Sequence, residues 1–491
     1  MVSHGGSLSG EHGDGQQRAW LLQRMYGDDL VDAFRRFKEI WDPRGRMNPG
    51  KVVDPYPVDS DLRLGTDYQP PEVSTEFAYP ADAGSFAGAT LRCVGVGLCR
   101  REEGGTMCPS YMVTHEEQHS TRGRARLLYE MLSGELRAEG WRSTAVRDAL
   151  DLCLSCKGCK GDCPVNVDMA TYKAEFLHHH YRHRLRPRAA YTIGLIPFTA
   201  RLASPIAGVV NGLSRHDRLA AAAERLAGVA TERPIPRLAE QTFLQWSAGR
   251  PVPEGVRPPV VVFPDTFSNL FDPTPAEAAV EVLEALGWRV TVPSEPLCCG
   301  RPLYDYGMLP TARRLLDRCI RILRPHLRSG TPIVGIEPSC LAVLRDEAHE
   351  LYPNDPDVQR LGSQAVTLGE LLRDHDVELP HLDASALVHG HCHQKAVLDF
   401  SADTDVLDRM GVHAEVPDSG CCGMAGSFGF EASHYDVSVA VGERVLLPAV
   451  RRAAGDTLVV TDGFSCRTQI ADLTGRHALH LSQVVHRAVV G

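Results

Sequence analysis

Gly420-Cys421-Cys422-Gly423 repeats Leu297-Cys298-Cys299-Gly300. Each doublet is followed by a lone cysteine in a similar setting, Pro338-Ser339-Cys340 in the first case and Phe464-Ser465-Cys466 in the second. Working outward from the first doublet, Val260-Val261-Val262-Phe263, residues 289–292 and Ile333-Val334-Gly335-Ile336 read as short buried strands. Residues 275–287 and 309–327 between them carry helical periodicity. The order recurs after residue 383, with Ala386-Leu387-Val388 and Leu458-Val459-Val460 as strands and residues 439–453 as a helix. Strands alternating with helices predict α/β layers. Loops that follow strands converge at the carboxyl edge of an open sheet, where such folds bind ligands, and a glycine after each doublet lets the backbone come close to one. His391-Cys392-His393-Gln394 gives the second copy a fourth cysteine, so Cys392, Cys421, Cys422 and Cys466 suffice for a metal cluster. The first copy has Cys298, Cys299 and Cys340, with Asp265 where an earlier cysteine is expected.

The remaining cysteines sharpen this reading. The chain has 15 in 491 residues. Seven lie between residues 93 and 163, seven belong to the two repeats, and Cys319 stands apart. Disulfide frameworks suit small secreted domains, and adjacent pairs do not form ordinary bridges. The start, Met1-Val2-Ser3-His4-Gly5-Gly6, has no basic or apolar leader segment, which points to the reducing cytoplasm. There, grouped cysteines read as metal ligands or redox centres. Cys319 shares a helical stripe with Ala312, Leu316, Ile320, Leu323 and Leu327, so it reads as a small core residue. Apolar residues at 43% and charged residues at 23% describe an ordinary globular chain. A net charge of −10 with no basic stripe argues against nucleic acid as a partner. No run of 18 apolar residues spans a membrane.

Cys153-x2-Cys156-x2-Cys159-x3-Cys163-Pro164 is the most specific motif. Three thiolates at this spacing hold three corners of a 4Fe–4S cube, and the fourth, before proline, serves a second cluster. Zinc sites use two separated pairs more often than one tight loop. Cys93-x5-Cys99-x8-Cys108-Pro109 copies the proline ending. Exchange of the last ligands predicts one complete set, Cys108, Cys153, Cys156 and Cys159, and one incomplete set, Cys93, Cys99 and Cys163. In the second, Val96 takes the middle position, so it holds a 3Fe–4S centre, uses another ligand, or is empty. Arg122 and Arg124 flank Gly123 and read equally as charge compensation for a cluster or as solvated residues at a capped helix start. His178, His179, His180 and His183 read as a solvated helix face.

These motifs set the expected organisation. Residues 1–56 hold a glycine-rich stretch and an amphipathic helix over 28–41, and residues 57–90 form a linker. A small α-helical ferredoxin-like 4Fe–4S module covers 91–186, with capped helices over 143–152 and 168–185. Broken, proline-containing helices over 187–256 connect or dock. Their apolar patches within 191–213 read as core, with membrane contact as the alternative. Cysteine-rich α/β domains cover 257–382 and 383–491. The fold class is therefore multi-domain, α+β and α/β.

From residue 90 onward the pattern resembles the cysteine-rich domain of heterodisulfide reductase subunits and the iron–sulfur subunits of glycolate oxidase and anaerobic glycerol-3-phosphate dehydrogenase. That resemblance implies electron transfer between a flavin partner and an acceptor. The departures are Val96, Asp265 and the absence of a second closing cysteine at Val343 and Gln469. Gly5-Gly6-Ser7-Leu8-Ser9-Gly10-Glu11-His12-Gly13-Asp14-Gly15 resembles the closing active-site segment of FAD-linked oxidases acting on D-2-hydroxy acids, and Arg46-Met47-Asn48-Pro49-Gly50-Lys51 matches that family's C-terminus. This implies that Glu11 helps hold a divalent metal and that His12 binds the substrate or takes its hydroxyl proton. The whole resembles fused FAD and iron–sulfur dehydrogenases of D-lactate or D-2-hydroxyglutarate. Its implied cofactors are one or two 4Fe–4S clusters, further clusters in the cysteine-rich domains, and FAD only with a flavin domain. Fifty-odd residues cannot enclose a dinucleotide, so the expectation is a split or truncated gene, or a misassigned start, with a flavin-binding domain or subunit as partner. The acceptor is a quinone, a cytochrome or a soluble carrier. The alternatives are a stand-alone carrier docking on a separate flavoprotein, and a zinc-binding structural protein. The expected location is cytoplasmic, with peripheral contact at the inner face of the membrane.

Overall fold

The computed structural model describes residues 1–60, 62, 64–65, 68–251, 256–375 and 377–490. They form two units, residues 1–70 and 71–491. The expected linker over 57–90 and the connecting segment over 187–256 fall partly outside the described residues. In the first unit, helix Leu22–Trp41 covers the expected 28–41 and extends back past Gly27, whose φ of 78° interrupts the helical path. Asp42 closes it by accepting the backbone N–H groups of Arg46 and Met47, both at 2.8 Å.

In the second unit, residues 73–91 are packed rather than linker-like. Phe77 and Tyr79 are buried beside Phe86 and Tyr172. The Glu175 carboxylate accepts the backbone N–H groups of Glu76 and Phe77, which fixes the strand-like entry into this module. Helices Thr121–Ser133, Thr144–Asp151 and Met169–His180 follow. Ser120 and Asp168 cap the first and last of these through Gly123 and Thr171. A side chain on Gly123 would collide with the Glu117 carbonyl oxygen, so only glycine fits at this helix start.

The α/β part contains two small parallel sheets. Strands β1 (Pro259–Phe263), β2 (Arg289–Thr291), β3 (Ile333–Gly335) and β4 (Ala365–Val366) lie in the order β2-β1-β3-β4. Strands β5 (Ala384–Val388), β6 (Val412–Glu415) and β7 (Leu458–Val460) lie in the order β6-β5-β7. Every pairing is parallel. Strands β4 and β6 escape the sequence pattern. The first has two residues, and Val412-His413-Ala414-Glu415 lies at a sheet edge with three exposed residues, so burial imposes no apolar run. The helix expected over 439–453 is two, Tyr435–Glu443 and Leu446–Arg452, broken at Val445. Residues from both sheets share one core, in which Val260, Val334, Val388 and Val460 pack with Leu283 and Val484. Helix Leu309–Arg328 buries Ala312, Leu316, Cys319, Ile320, Leu323 and Leu327, the stripe read from the sequence.

Candidate metal centre

Each cysteine of the repeats follows the carboxyl end of a strand. Helix Pro338–Ala342 after β3 carries Cys340, helix Cys392–Val397 follows β5, and helix Phe464–Thr474 after β7 carries Cys466. The doublets follow β2 and β6. In the first half, the Cys299 and Cys340 sulfurs lie 2.9 Å apart, and Cys319 donates to the Cys298 carbonyl oxygen at 3.2 Å. Cys319 is thus both a core residue, as read, and a neighbour of the doublet, which the sequence separation hid. Asp265 heads helix Thr266–Leu270 and accepts the N–H groups of Phe267 and Ser268. Burial raises its pKa to about 6, and its second carboxylate oxygen has no partner among the described residues.

The second half gathers more donors. Hydrogen bonding with the Cys421 thiol holds Cys392 and Cys422 below the usual thiol range. Cys422, Cys466 and His389 bring their donor atoms within 4.8 Å of one another, and so do His391, Cys392 and His393. His389 was not singled out from the sequence. Its Nδ1 lies 2.6 Å from Ser419 Oγ, while its buried Nε2 has no hydrogen-bond partner among the described residues. A histidine two positions before the His-Cys-His run is the signal that was available.

In the helical module, one cavity is lined by Cys108, Cys153, Cys156 and Cys159, and another by Cys93, Val96, Cys99 and Cys163. Burial pushes the Cys108 thiol up to about 11 and those of Cys156 and Cys159 well above the usual range. Sulfurs so placed need a bound cation to become thiolates, which is the chemistry an iron–sulfur cluster brings, and the residues present fit one. The two arginines divide between their readings. Arg124 is buried, 3.9 Å from the Cys108 sulfur and bonded to the Ala149 carbonyl oxygen. Arg122 directs its backbone N–H to the Cys99 sulfur at 3.3 Å, while its side chain pairs with Glu117 near the surface.

A buried ion network unites the modules. Lys157, between two cysteines of the run, is fully buried. It pairs with Asp168 at 2.8 Å, with Asp346, and with Glu347 at 3.2 Å. Arg301, two residues after Cys299, pairs with Glu347 at 2.6 Å and approaches His393 Nε2 at 3.4 Å. Cys156 packs in one buried cluster with Leu154, Cys392 and Cys421. Three of the four histidines expected on a solvated face are instead packed. His179 stacks on Trp141 and bonds Glu175, His180 bonds the Trp141 carbonyl oxygen, and His178 is largely buried. Helix Met169–His180 is enclosed on nearly every side, so the sequence offers no polar face to read.

Glu11 and His12 lie 3.0 Å apart and are exposed.

Three family descriptions match stretches of this chain. "FAD linked oxidases, C-terminal domain" matches residues 1–52, "4Fe-4S dicluster domain" matches 89–167, and "Cysteine-rich domain" matches 265–345 and 392–471. In order along the chain, the matches are thus to the C-terminal domain of FAD-linked oxidases, a dicluster domain and two cysteine-rich domains. Among similar proteins are D-2-hydroxyglutarate dehydrogenases of Pantoea ananatis and of Escherichia coli K12, each 26% identical. They cover 98% and 99% of this chain, and 51% and 52% of their own length is matched. One subunit of the anaerobic glycerol-3-phosphate dehydrogenase of Escherichia coli K12 is 26% identical over 57% of this chain and 72% of its own length. The chain thus spans about half the length of the dehydrogenases it matches.

Val96 yields a test of the incomplete ligand set. It lines the cavity of Cys93, Cys99 and Cys163 but offers no lone pair. A cluster there is expected to lose one iron on air oxidation and to give a 3Fe–4S paramagnetic resonance signal. Val96→Cys is expected to abolish that signal. If the oxidised wild-type protein lacks it and iron amounts to one cube in this domain, Cys93 and Cys99 are not ligands.

Proposed function

We propose that this chain is the iron–sulfur electron-transfer portion of a flavin-dependent dehydrogenase oxidising a D-2-hydroxy acid, with D-2-hydroxyglutarate the substrate its relatives' names favour. The carrying observation is the shared burial of Cys156 with Cys392 and Cys421, which puts the dicluster domain in direct contact with the second cysteine-rich domain. Cys108, Cys153, Cys156 and Cys159 would hold one 4Fe–4S cluster. Cys93, Cys99 and Cys163 would hold a second, with three irons once oxidised, in keeping with Val96. Cys392, Cys421, Cys422 and Cys466 would hold a further metal group, with Cys298, Cys299 and Cys340 forming the weaker site. Such clusters supply one-electron transfer. Lys157 and Arg301 bring positive charge to the ligand loops and hold the domains in register.

The partner is a flavin-binding domain or subunit. Helix Leu22–Trp41 supports this, since Leu30, Phe34, Phe37 and Trp41 form an exposed apolar stripe on a segment matching FAD-linked oxidases. Glu11 and His12 would meet substrate only on that partner. The acceptor is a quinone, a cytochrome or a soluble carrier, approaching through the cavity lined by Cys153, Tyr306, Phe428 and His434. The site of action is the cytoplasm, with peripheral contact at the membrane. No helix among the described residues is long and apolar enough to cross one.

The purified chain alone is expected to be brown, to lack stoichiometric FAD, and not to oxidise D-2-hydroxyglutarate or D-lactate. Adding a flavin-binding partner should make the visible cluster absorbance bleach on addition of substrate. Stoichiometric FAD in the chain alone, or turnover without a partner, would overturn the reading. Bleaching that never occurs with any competent flavoprotein donor would do so as well.

A further inference from the structure

Helices Ile196–Ala203 and Ala207–Leu213, joined by a 3-10 turn over Ser204–Ile206, are apolar on both sides. One side is accounted for. Ala200 and Ala207 are buried against Leu238 and Leu270, and Asn211 bonds both the N–H and the carbonyl oxygen of Leu238. The sequence reading of these patches as core holds for this side alone. On the other side Phe198, Leu202, Ile206, Val209 and Leu213 recur at steps of three and four residues. Leu202 is 81% exposed, Val209 62% and Ile206 56%. Single exposed leucines are ordinary, but an unbroken stripe of five large apolar side chains is not.

The charge around the stripe identifies its occupant. From residue 182 to residue 218 the chain has arginines at 182, 184, 186, 188, 201, 215 and 218, against one carboxylate, Asp217. This occurs in a protein of net charge −10. Arg201, beside Leu202, and Arg215, just past Leu213, are exposed and form no ion pair among the described residues. The exposed stripe on Leu22–Trp41 differs in this respect, because Asp28, Asp29, Asp32 and Glu39 share that helix with its basic residues. An apolar face on so basic a segment is suited to the interface of an anionic bilayer, where leucine and isoleucine enter the acyl boundary and guanidinium groups meet phosphate.

We infer that the stripe Phe198-Leu202-Ile206-Val209-Leu213 with the arginines beside it docks this chain on an anionic lipid surface. The inference deepens the reading of peripheral membrane contact. It also relates that contact to the cavity beside Cys153. Helix Arg188–Thr192, just before the stripe, packs Ala189 and Ala190 on Tyr306, and Tyr306 and Pro187 line the cavity that reaches Cys153. Docking would place the segment that leads into this cavity close to the lipid surface.

The test is co-sedimentation of the intact chain with phosphatidylcholine vesicles, with and without phosphatidylglycerol. Binding is expected only with the anionic lipid and should fall as salt rises. Leu202→Glu combined with Val209→Glu should weaken it at least about tenfold. Arg201→Gln and Arg215→Gln should weaken it by about fivefold each. All four residues are exposed, so visible absorbance and circular dichroism should stay as in the wild type. Absence of binding to anionic vesicles, equal binding to neutral vesicles, or undiminished binding by the double variant would each overturn the proposal. So would a wild-type dimer that Leu202→Glu splits, which would make the face a self-interface. The readout is lipid binding, so failure here leaves the electron-transfer reading standing, and failure of substrate-dependent bleaching leaves this one intact.

Discussion

Replacing Lys157 with methionine is expected to destabilise the dicluster and cysteine-rich unit by about 3–5 kcal/mol, the usual cost of removing one partner from a buried ion pair. The Lys157 side chain has no exposed surface and answers three carboxylates: Asp168 from its own domain, and Asp346 and Glu347 from the first cysteine-rich domain. Methionine fills the volume but leaves those charges to Lys160 and Arg301 alone. A loss of that size is a large part of the roughly 5–15 kcal/mol that holds a domain folded. Asp346→Asn in the same chain should recover part of it, and a double-mutant cycle reads the coupling directly. The measurement is urea unfolding followed by circular dichroism, with iron content assayed in parallel. A Lys157→Met protein that unfolds at the wild-type midpoint would show that these ion pairs do not hold the two domains together.

Serine at Cys156 is expected to remove the iron of its cluster and to loosen residues 91–186, because bound metal contributes to folding a small domain of this kind. Its sulfur is buried with Leu154, Cys392 and Cys421, so the serine hydroxyl would also be placed in a mostly apolar and thiol-lined setting. Serine at Cys108, Cys153 or Cys159 should act alike, since all four side chains line one cavity. Cys319→Ser is the contrasting case. Its hydroxyl can still donate to the Cys298 carbonyl oxygen, the bond the thiol makes at 3.2 Å, so iron content should be unchanged and stability slightly reduced. Iron and acid-labile sulfide analysis separates the two outcomes. If Cys319→Ser loses iron as Cys156→Ser does, Cys319 belongs to a metal site rather than to the helical core stripe.

Much of this was legible in the sequence because the signals are local. The stripe through Cys319 is a matter of helical period, and the strands after residue 258 are short apolar runs bounded by turns. The run Cys153 to Cys163 signals its chemistry by spacing, and Asp168 caps the helix it precedes as read, whereas Ser143, ahead of Thr144–Asp151, makes no side-chain cap bond. Where burial was weak the signal failed, as at β6, an edge strand with three exposed residues.

What only the tertiary structure decided depends on contacts between distant residues. Nothing near Lys157 in sequence says that Asp346 and Glu347, on another domain, will neutralise it. The histidines at 178–180 look like a polar face because their neighbours, Trp141 and Glu76, come from elsewhere in the chain. His389 gains meaning only where Cys422 and Cys466 arrive beside it. The helices over 196–213 are equally apolar on two sides in sequence, and packing alone chose which side Leu238 and Leu270 would cover. Local pattern fixes which elements form and which ligand types they carry. The choice of partners for a charge, a ring or an apolar face is made by the fold, because burial energy depends on what lies across the interface and not on what lies next along the chain.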